Sequence, residues 1–361
     1  MASDVQVKSE IAAASPRVGV VAIGRNEGER LRACLVSARR DCSSVVYVDS
    51  GSSDESVALA RSLGCHVVEL DLATPFTAAR ARNEGFAFLK QIDSDVQFVQ
   101  FVDGDCEIVV GWIAKATAEL AARSRAAIVC GRRRERFPDA SVYNRLCDME
   151  WNTPIGQAKA CGGDALVRVS AFEEVGGYDG SVIAGEEPEM CVRLRERGWT
   201  IHRIDAEMTL HDAAMTRASQ WWRRNVRGGH AYAQGFAMHG APPENCYRRQ
   251  LRSIAFWGFA PLIATAVMIV ALLIARPMWV WVGFFPMLGY AALAAKSGFW
   301  RFRRGDRAKD AAMYGVAVTL AKFPQAVGVR KFRRAQKRGI RNTIIEYKGP
   351  AHPRSVQGQQ S

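Results

Sequence analysis

The sequence predicts an α/β fold in which a mostly parallel sheet carries helices on both faces. Three observations predict this fold: short apolar runs alternate with segments of helical spacing, polar residues follow each apolar run, and the alternation yields four strands by residue 105. Strands that alternate with helices at this spacing usually pair in parallel. Such sheets bind ligands beyond the carboxyl ends of their strands.

The elements follow one another closely along the chain. The strands are read from "RVGVVAIGRNE", "SVVYVDSGSSDES", "CHVVELD" and "VQFVQFVDGD", and the helices from "GERLRACLVSARRD", "ESVALARSLG" and "TAARARNEGFAFLKQI". The first helix, for example, has apolar residues at helical spacing from Leu31 to Ala38. Polar residues that follow strands, and that we expect at one edge of the sheet, are Asn26, Glu27, Asp49, Asp103 and Asp105.

The triplet "DGD" ends the fourth strand with Asp103 and Asp105 on either side of one glycine. Asp and Gly are common in tight turns, so a turn alone would explain the triplet. Two carboxylates at the carboxyl end of a parallel strand also suit a metal and phosphate site. Because several strands of this chain end in polar residues, we favour the ligand site.

Composition narrows the classes of partner. The 361 residues carry a net charge of +13, which predicts an anionic partner such as nucleic acid, a phosphorylated substrate or a membrane surface. Nine cysteines without a C-x-x-C pair indicate neither a zinc site nor a disulfide framework. Residues 1–16 lack an apolar core of signal-peptide length and are expected to form a disordered tail.

Two apolar runs near the end of the chain predict a transmembrane helical hairpin. Residues 253–275 and 278–295 lack charges and approach the roughly 20 residues that cross a bilayer. Arginines and lysines flank both runs, whereas the connection carries Arg276 alone. The positive-inside rule places both flanks in the cytoplasm, which predicts a protein of the cytoplasmic (inner) membrane. A re-entrant hairpin would satisfy the same charges.

Residues 296–361 are expected to form a cytosolic basic region after the hairpin. Within it, "VRKFRRAQKRGIR" places seven positive charges between Arg330 and Arg341, after a weakly apolar stretch. This pattern is typical of a solvated basic helix or of an amphipathic helix on anionic lipid. The adjacent apolar runs favour membrane lipids as the partner, and we do not expect nucleic acid binding.

Six segments, in order, carry a resemblance to a known family. They are "VVAIGRNEGERLRACLVSA", "VVYVDSGSSDES", "AARARNEGF", "VQFVDGD", "CGGDALVRVSAFEEVGGYDG" and "GEEPEMCVRLRERGW". Together they resemble family 2 glycosyltransferases of the GT-A fold over about residues 18–235, which implies a catalytic domain at 17–240. The resemblance implies transfer of a sugar from a nucleotide-diphosphate sugar to a saccharide or lipid-linked acceptor.

The resemblance also implies roles for individual residues. It assigns Asp105 to a divalent cation (Mg²⁺ or Mn²⁺), Asp103 to the sugar nucleotide and the metal, and His211 to completion of the metal site. Carboxylate ligands suit these cations, which offset the charge of a leaving diphosphate. The nucleotide-binding residues implied by the resemblance are Asn26, Glu27, Asp49, Arg82 and Asn83.

The pair Glu186–Glu187 in "GEEPE" matches the Glu-Asp pair that supplies the family's catalytic base. The resemblance assigns the base to Glu187, which replaces the usual aspartate, with Glu186 beside it and inversion at the anomeric carbon as the expected outcome. A carboxylate takes the proton of the attacking hydroxyl. Carboxylates in a first helical turn also stabilise the helix dipole, so a structural role competes.

Two further segments bear on the acceptor. The backbone at Gly162 and Gly163 permits close approach, and in the family this strand borders the acceptor site. "SQWWRRNVRGG" matches the Q-x-x-R-W of processive synthases at Gln220 and Arg223, but Arg224 stands at the Trp position, which argues against processivity. A polyprenyl-phosphate sugar synthase is the alternative enzyme, and a non-catalytic nucleotide-sugar-binding membrane scaffold is the alternative of another class.

Overall fold

The computed structural model describes residues 16–274 and 280–340. Most of the predicted N-terminal tail, and the end of the basic region, therefore lie outside the described residues. The described strands form one sheet, and the helices after residue 217 pack beside its ligand-binding edge.

The strands are Val18–Gly24 (β1), Val45–Asp49 (β2), His66–Glu69 (β3), Phe98–Asp103 (β4), Cys106–Ile108 (β5), Ala126–Glu135 (β6), Gly156–Ala158 (β7), Ala165–Arg168 (β8) and Thr200–His211 (β9). The helices are Glu29–Asp41 (α1), Ser56–Ser62 (α2), Ala78–Ile92 (α3), Trp112–Ala122 (α4), Val142–Trp151 (α5), Val169–Glu174 (α6), Glu186–Glu196 (α7), Ala218–His239 (α8), Arg248–Leu273 (α9), Val280–Phe302 (α10), Ala308–Leu320 (α11) and Lys322–Lys337 (α12).

The first half of the sheet confirms the predicted α/β fold. Strands β3, β2, β1 and β4 lie side by side in parallel, in that order. Their register pairs Gly24 with Asp49 and Ile23 with Asp103, so the carboxyl ends of β1, β2 and β4 meet at one edge. The order of the strands reverses between β1 and β4, which is where open α/β sheets bind ligands.

The second half of the sheet is mixed. Strand β8 pairs antiparallel with both β4 and β6, whereas β6 and β9 are parallel. The short strands β5 and β7 both pair antiparallel with β9. Because β5 follows β4 after a single turn, the chain passes from the parallel half to β9 at Gly104. The register of β5 then pairs Cys106 with His211, which brings Asp105 beside that histidine.

Close packing of α3 fixes the parallel half. Gly85 lies against the side chains of Val21 and Val48, where an added Cβ would approach within 2.6 Å of both. Leu89 fills the space above Gly19 in the same way. This side of β1 and β2 is therefore apolar and dry, and the helix holds its polar residues toward the strand ends.

The first predicted membrane run lies in α9. The stretch Arg248–Val270 is long and apolar enough to cross a bilayer, and it is the one such stretch found in residues 16–274 and 280–340. The second run, 278–295, begins before the described part of α10, and the side chains of its first half are not described. The second span and the hairpin therefore stay predictions.

The basic amphipathic helix is present as α12, but its apolar face is covered by protein. Ala326, Val329 and Phe332 pack in one cluster with residues of α8 and α9. An added Cβ at Gly229 of α8 would lie 2.0 Å from the carbonyl oxygen of Gln325, so the two backbones touch. The exposed face carries the basic residues Arg330, Lys331, Arg333, Arg334, Lys337 and Arg338, which leaves charge rather than apolar surface for a membrane.

Candidate active site

A cavity of about 850 Å³ lies between the carboxyl ends of the strands and the C-terminal helices. Its sheet side is lined by most of the predicted site residues: Asn26, Glu27, Arg82, Asp103, Asp105, Glu186 and Glu187. Its opposite side, which we call the helical wall, consists of the residues of α8, α11 and α12 that line the cavity. Carboxylates and cations thus share a space of the size that suits a small-molecule ligand.

The loop after β1 presents Asn26 and Glu27 to this cavity. Asn26 has a left-handed backbone (φ 55°), and its Oδ1 accepts a hydrogen bond from the Ser53 backbone N–H at 2.7 Å. Glu27 pairs with Arg30 at 2.8 Å. These contacts join the loops after β1 and β2, so the two loops form one rigid side of the cavity.

Asp49 does not line the cavity, although it was predicted to bind nucleotide. Its carboxylate is buried and accepts hydrogen bonds from the Tyr47 hydroxyl, the Gly51 N–H and both the N–H and the hydroxyl of Ser52, at 2.5–3.0 Å. Four donors leave little capacity for a ligand. In this structure Asp49 organises the loop after β2.

Asn83 also lies away from the cavity lining. Its side-chain amide donates to the Tyr178 carbonyl at 2.7 Å and accepts from the Tyr178 N–H at 2.9 Å. This reciprocal pair ties α3 to the loop that precedes α7. Asn83 thus makes a structural contact, and its predicted role in nucleotide binding stays a prediction, whereas the neighbouring Arg82 lines the cavity.

Arg82 is buried and joins the two predicted parts of the site. Its Nη2 donates to Asp103 Oδ1 at 2.8 Å, and its Nη1 lies 2.9 Å from Glu186 Oε1 and 3.2 Å from Glu187 Oε1. One guanidinium thus bridges the DGD triplet and the glutamate pair. A buried arginine is the suitable residue because it stays charged and presents several fixed donors.

Asp103 is held on its other side by a second arginine. Arg133 Nη2 lies 3.1 Å from Asp103 Oδ2, and the same guanidinium contacts the buried Asp164 at 2.7 Å. Asp164 also accepts from the Asp103 backbone N–H at 3.1 Å and the Thr209 hydroxyl at 2.6 Å. Both oxygens of Asp103 therefore face guanidinium groups, which makes Asp105 the better placed carboxylate for a cation.

Gly163 allows this charged cluster to close. An added Cβ there would lie 2.6 Å from Arg82 Nη2, 3.0 Å from Asp103 Oδ2 and 3.1 Å from Glu187 Oε1. At Gly162 an added Cβ would meet no atom within 4 Å. Of the two glycines that the sequence suggested for close approach, only Gly163 makes one.

Asp105 and His211 face each other across a buried gap. The distance from Asp105 Oδ1 to His211 Nε2 is 3.5 Å. Burial, with Arg133 nearby, lowers the pKa of His211 well below its usual value, so the ring is neutral at pH 7. Burial raises the pKa of the neighbouring Cys106 thiol, which therefore stays protonated.

Glu135 holds the other side of the histidine ring. Its Oε2 lies 3.4 Å from His211 Nδ1 and accepts from the Ala213 N–H at 3.0 Å, while Oε1 accepts from the Phe137 N–H and the Asn144 side chain. In the tautomer whose Nδ1–H donates to this carboxylate, the lone pair of Nε2 is available to a cation. Burial raises the pKa of Glu135 to about 7. A carboxylate behind a metal-binding histidine is a frequent device for orienting the ring.

The donor set at this gap fits a divalent cation. The ligand atoms of Asp105, Cys106 and His211 lie within 4.8 Å of one another. A carboxylate oxygen and a neutral imidazole nitrogen at this separation can both coordinate a hard or borderline divalent cation. The protonated thiol adds no comparable ligand.

The glutamate pair begins α7. Gly185 precedes the helix in a left-handed conformation (φ 85°), which turns the chain so that Glu186 and Glu187 lie in the first turn. Burial, with Glu186 beside it, raises the pKa of Glu187 to about 7, while Arg82 opposes this shift. A carboxyl with a pKa near neutrality is well matched to accept a proton from an alcohol.

The sequence did not predict that residues of the helical wall line the same cavity as the carboxylates. Arg224 lines the cavity and pairs with Glu150 at 2.6 Å, whereas Arg223 is exposed and Gln220 accepts from the Thr216 and Arg217 N–H groups at the start of α8. The match to Q-x-x-R-W is therefore structural at Gln220. Arg133 and Glu135 were also missed, since "RRRE" resembles an exposed charged run, and Asp164 was missed although its segment "CGGDALVRV" carries the resemblance.

The sheet, with paired carboxylates at the point where its strand order reverses and a cavity beside them, has the GT-A fold. Residues 20–175 match the family model described as glycosyl transferase family 2.

Three comparisons describe the relatives. The succinoglycan biosynthesis protein ExoA of Rhizobium meliloti is 27% identical over 296 residues, which cover 72% of this chain and 87% of that protein. A TPR repeat-containing protein of Synechococcus elongatus is 34% identical over 70 residues, and the match spans 19% of this chain and 17% of that relative. The structure of a Pyrobaculum calidifontis mannosyltransferase, PcManGT, in complex with GDP-Man and Mn²⁺ superimposes with a TM-score of 0.53 at 17% identity and covers 88% of each chain.

Proposed function

We propose that this protein is a family 2 glycosyltransferase that transfers a sugar from a nucleotide-diphosphate sugar to a saccharide or membrane-associated acceptor with inversion at the anomeric carbon. The observation that carries the proposal is that Glu187 and Asp105 line one cavity at the switch point of the sheet. The pKa of Glu187 is suited to accepting a proton near neutral pH, and Asp105 belongs to a group of ligand atoms that fits a divalent cation.

In the proposed step, the acceptor hydroxyl gives its proton to Glu187 as its oxygen attacks the anomeric carbon. The bond between that carbon and the leaving diphosphate oxygen breaks on the opposite face, so the configuration inverts. Arg82 holds Glu187 and Asp103 in place during the step. A Mg²⁺ or Mn²⁺ held by Asp105 and His211 would act as a Lewis acid toward the diphosphate.

The donor side is supported by the fold and by the relatives. PcManGT was solved with GDP-Man and Mn²⁺, and ExoA is described as a succinoglycan biosynthesis protein. We extend to this chain a nucleotide-sugar donor, a divalent cation and a place in polysaccharide biosynthesis. The arginines Arg25 and Arg30 lie in the same cavity lining, where Arg30 is paired with Glu27.

The test is a donor-hydrolysis screen of the full chain in membranes against UDP-, GDP- and dTDP-sugars, with Asp105→Asn as the comparison. We expect one donor to be hydrolysed in the presence of Mn²⁺ or Mg²⁺, and we expect Asp105→Asn or excess EDTA to remove most of that activity. Full activity in EDTA would contradict the metal role. Hydrolysis of no donor would contradict the enzyme function itself.

We further propose that α9 anchors the chain in the cytoplasmic membrane, with the catalytic domain in the cytoplasm. The arginines before α9 and after α10 support this orientation, because positive flanks stay on the cytoplasmic side. Reporters fused after Gly240 and after Gly305 should both read cytoplasmic if α9 and α10 form a hairpin. Reporters in opposite compartments would indicate one span.

A further inference from the structure

Two thiols lie in contact beside the glutamate pair. Cys161 belongs to the loop between β7 and β8, Cys191 belongs to α7, and their Sγ atoms are 3.8 Å apart. All nine cysteines of the chain are described, and all are free. Cys161 and Cys246 are partly exposed and the others are buried, so an oxidant in solution can reach Cys161.

Arg195 holds the two thiols together. Its Nη1 donates to the carbonyl of Lys159, in the loop that carries Cys161, and to the carbonyl of Cys191 at 3.0 Å. Its Nη2 pairs with Glu244 at 2.7 Å, which fixes the guanidinium group. One side chain thus joins the loop to the turn of α7 that carries Cys191, and the contact between the thiols is part of the fold.

The separation of the two sulfur atoms is short enough for a disulfide to form after a small movement. A disulfide bond is about 2.05 Å long, so the sulfur atoms must approach each other by about 1.8 Å. Rotation of the two side chains and a shift of the loop can supply this approach. The loop has room to shift, because an added Cβ at Gly162, next to Cys161, would meet no atom within 4 Å.

Both cysteines are connected through the backbone to the catalytic carboxylates. Gly163 follows Cys161 by two residues, and Cys191 follows Glu187 by four residues, about one turn of α7. An added Cβ at Gly163 would lie 2.6 Å from Arg82 Nη2 and 3.1 Å from Glu187 Oε1. A bond that draws the loop toward α7 therefore moves Gly163 within a cluster that has no spare room.

We propose that Cys161 and Cys191 form a reversible disulfide when the protein meets a peroxide, and that this bond lowers the activity of the enzyme. The effect on activity rests on the proposed function, whereas formation of the bond does not. The device is a redox switch built on the loop and the helix that carry Gly163 and Glu187.

The chemistry balances with one peroxide for two thiols. Hydrogen peroxide oxidises the Cys161 thiol to a sulfenic acid and leaves as one water molecule. The Cys191 sulfur then attacks the Cys161 sulfur, the S–O bond breaks, and the hydroxyl group leaves with the thiol proton as a second water molecule. A small dithiol such as dithiothreitol reverses the bond by thiol–disulfide exchange and is itself oxidised.

The pair should respond to sustained oxidant and not to traces of it. The hydrogen bond with Cys191, together with burial, raises the pKa of the Cys161 thiol well above its usual value. Because the thiolate is the reactive form, little of Cys161 can react with peroxide at any moment near neutral pH. The pair therefore stays reduced unless peroxide persists.

The experiment exposes the full chain in detergent micelles to hydrogen peroxide, blocks the remaining thiols with an alkylating reagent and maps disulfides by mass spectrometry. Hydrolysis of the donor identified by the screen is measured in the same samples, before and after dithiothreitol. The variants are Cys161→Ser and Cys191→Ala. The matched control is Cys246→Ser, which removes the other partly exposed cysteine.

We expect peroxide to yield a peptide pair joined through Cys161 and Cys191, and donor hydrolysis to fall by roughly 100-fold, as is typical when catalytic groups are misplaced by about 1 Å. Dithiothreitol should restore the activity. Cys161→Ser and Cys191→Ala should begin near the wild-type activity and retain it in peroxide. Cys246→Ser should lose activity in peroxide as the wild type does.

Absence of the joined peptides, or a disulfide of Cys191 with another cysteine, would overturn the proposal. Equal loss of activity in Cys161→Ser and the wild type would overturn it as well, and so would a complete Cys161–Cys191 bond without loss of activity. Disulfide mapping needs no turnover. A chain that forms the bond and hydrolyses no donor before oxidation would support the disulfide and contradict the proposed enzyme function.

Discussion

Arg82, which is buried, forms an ion pair of 2.8 Å with Asp103, and the same guanidinium contacts Glu186 at 2.9 Å. The DGD triplet and the glutamate pair lie about 80 residues apart in the chain, yet both contact the guanidinium group of Arg82. The charge of three carboxylates is thereby partly balanced before any ligand binds. The geometry of the site depends on this residue more than on any other on α3.

Replacing Arg82 with methionine should destabilise the protein strongly. The three carboxylates would lose their common partner while remaining in the protein interior, and breaking a buried pair in this way costs about 3–5 kcal/mol. Arg61→Met, which removes an exposed partner of Glu69, should cost less than about 1 kcal/mol. The free energy of unfolding in urea measures both. A small effect at Arg82 would contradict its bridging role.

Gly163→Ala should impair transfer, whereas Gly162→Ala should not. The new methyl group at residue 163 would lie within 3.1 Å of atoms of Arg82, Asp103 and Glu187, so these side chains must move apart. A misplacement of this kind costs roughly 100-fold in rate. At residue 162 the methyl group meets open space. Side-by-side transfer rates of the two variants, with melting temperatures as the control for folding, give the comparison.

Glu187→Gln should lower turnover by about 10²–10⁴-fold, because an amide cannot accept the proton of the attacking hydroxyl. Donor binding should remain nearly unchanged, since the side chain keeps its size. Glu186→Gln should have a smaller effect, or should weaken acceptor binding instead. Transfer rate and donor affinity are measured together for each variant. An inactive Glu186→Gln beside an active Glu187→Gln would assign the base to Glu186.

The transfer rate should rise with pH through about pH 7. Burial and Glu186 raise the pKa of Glu187 to about 7, so below that pH the carboxyl is protonated and unable to act as a base. Glu135 has a pKa of about 7 as well, so the profile is recorded for Glu135→Gln also. If Glu187 is the base, Glu135→Gln retains the rise. Loss of the rise in that variant alone would assign it to Glu135.

Glu135→Gln should weaken Mn²⁺ binding by about 10–100-fold, as is typical when the carboxylate behind a metal-binding histidine is lost. An amide in place of the carboxylate cannot accept equally from His211 and from the three other N–H groups around it. Titration of the protein with Mn²⁺, followed by electron paramagnetic resonance, measures the affinity without turnover. Glu207→Gln, at a surface ion pair with Arg134, is the control. Equal affinity in both variants would remove Glu135 from the metal site.

The sequence was informative where the pattern is local. Apolar runs and helical spacing place β1 to β4 and α1 to α3, because each of these elements has a buried face that its own residues specify. Parallel pairing then places the loops that follow these strands at one edge of the sheet. The sequence therefore predicted correctly that Asn26, Asp103 and Asp105 lie at one edge of the sheet, because this placement depends on strand order alone.

The sequence was uninformative where contacts join distant segments. Nothing local distinguishes Asp49, which accepts four hydrogen bonds within its own loop, from an aspartate that faces a ligand. Arg133 and Asp164 meet because β6 and β8 are neighbours in the mixed half of the sheet. The side of the cavity formed by Arg227 and Lys322 depends on helix packing that no short motif encodes.

The backbone contact of Gly229 with Gln325 bears on the design of truncated fragments and of chimeras of this protein. A fragment that stops at residue 240 would contain the whole sheet but only half of the cavity, with an apolar face of α8 open to water. Exchange of residues 308–337 between relatives would instead alter one side of the cavity and leave the sheet intact. Chimeras that exchange these residues should change the selectivity for one substrate and leave the selectivity for the other substrate unchanged.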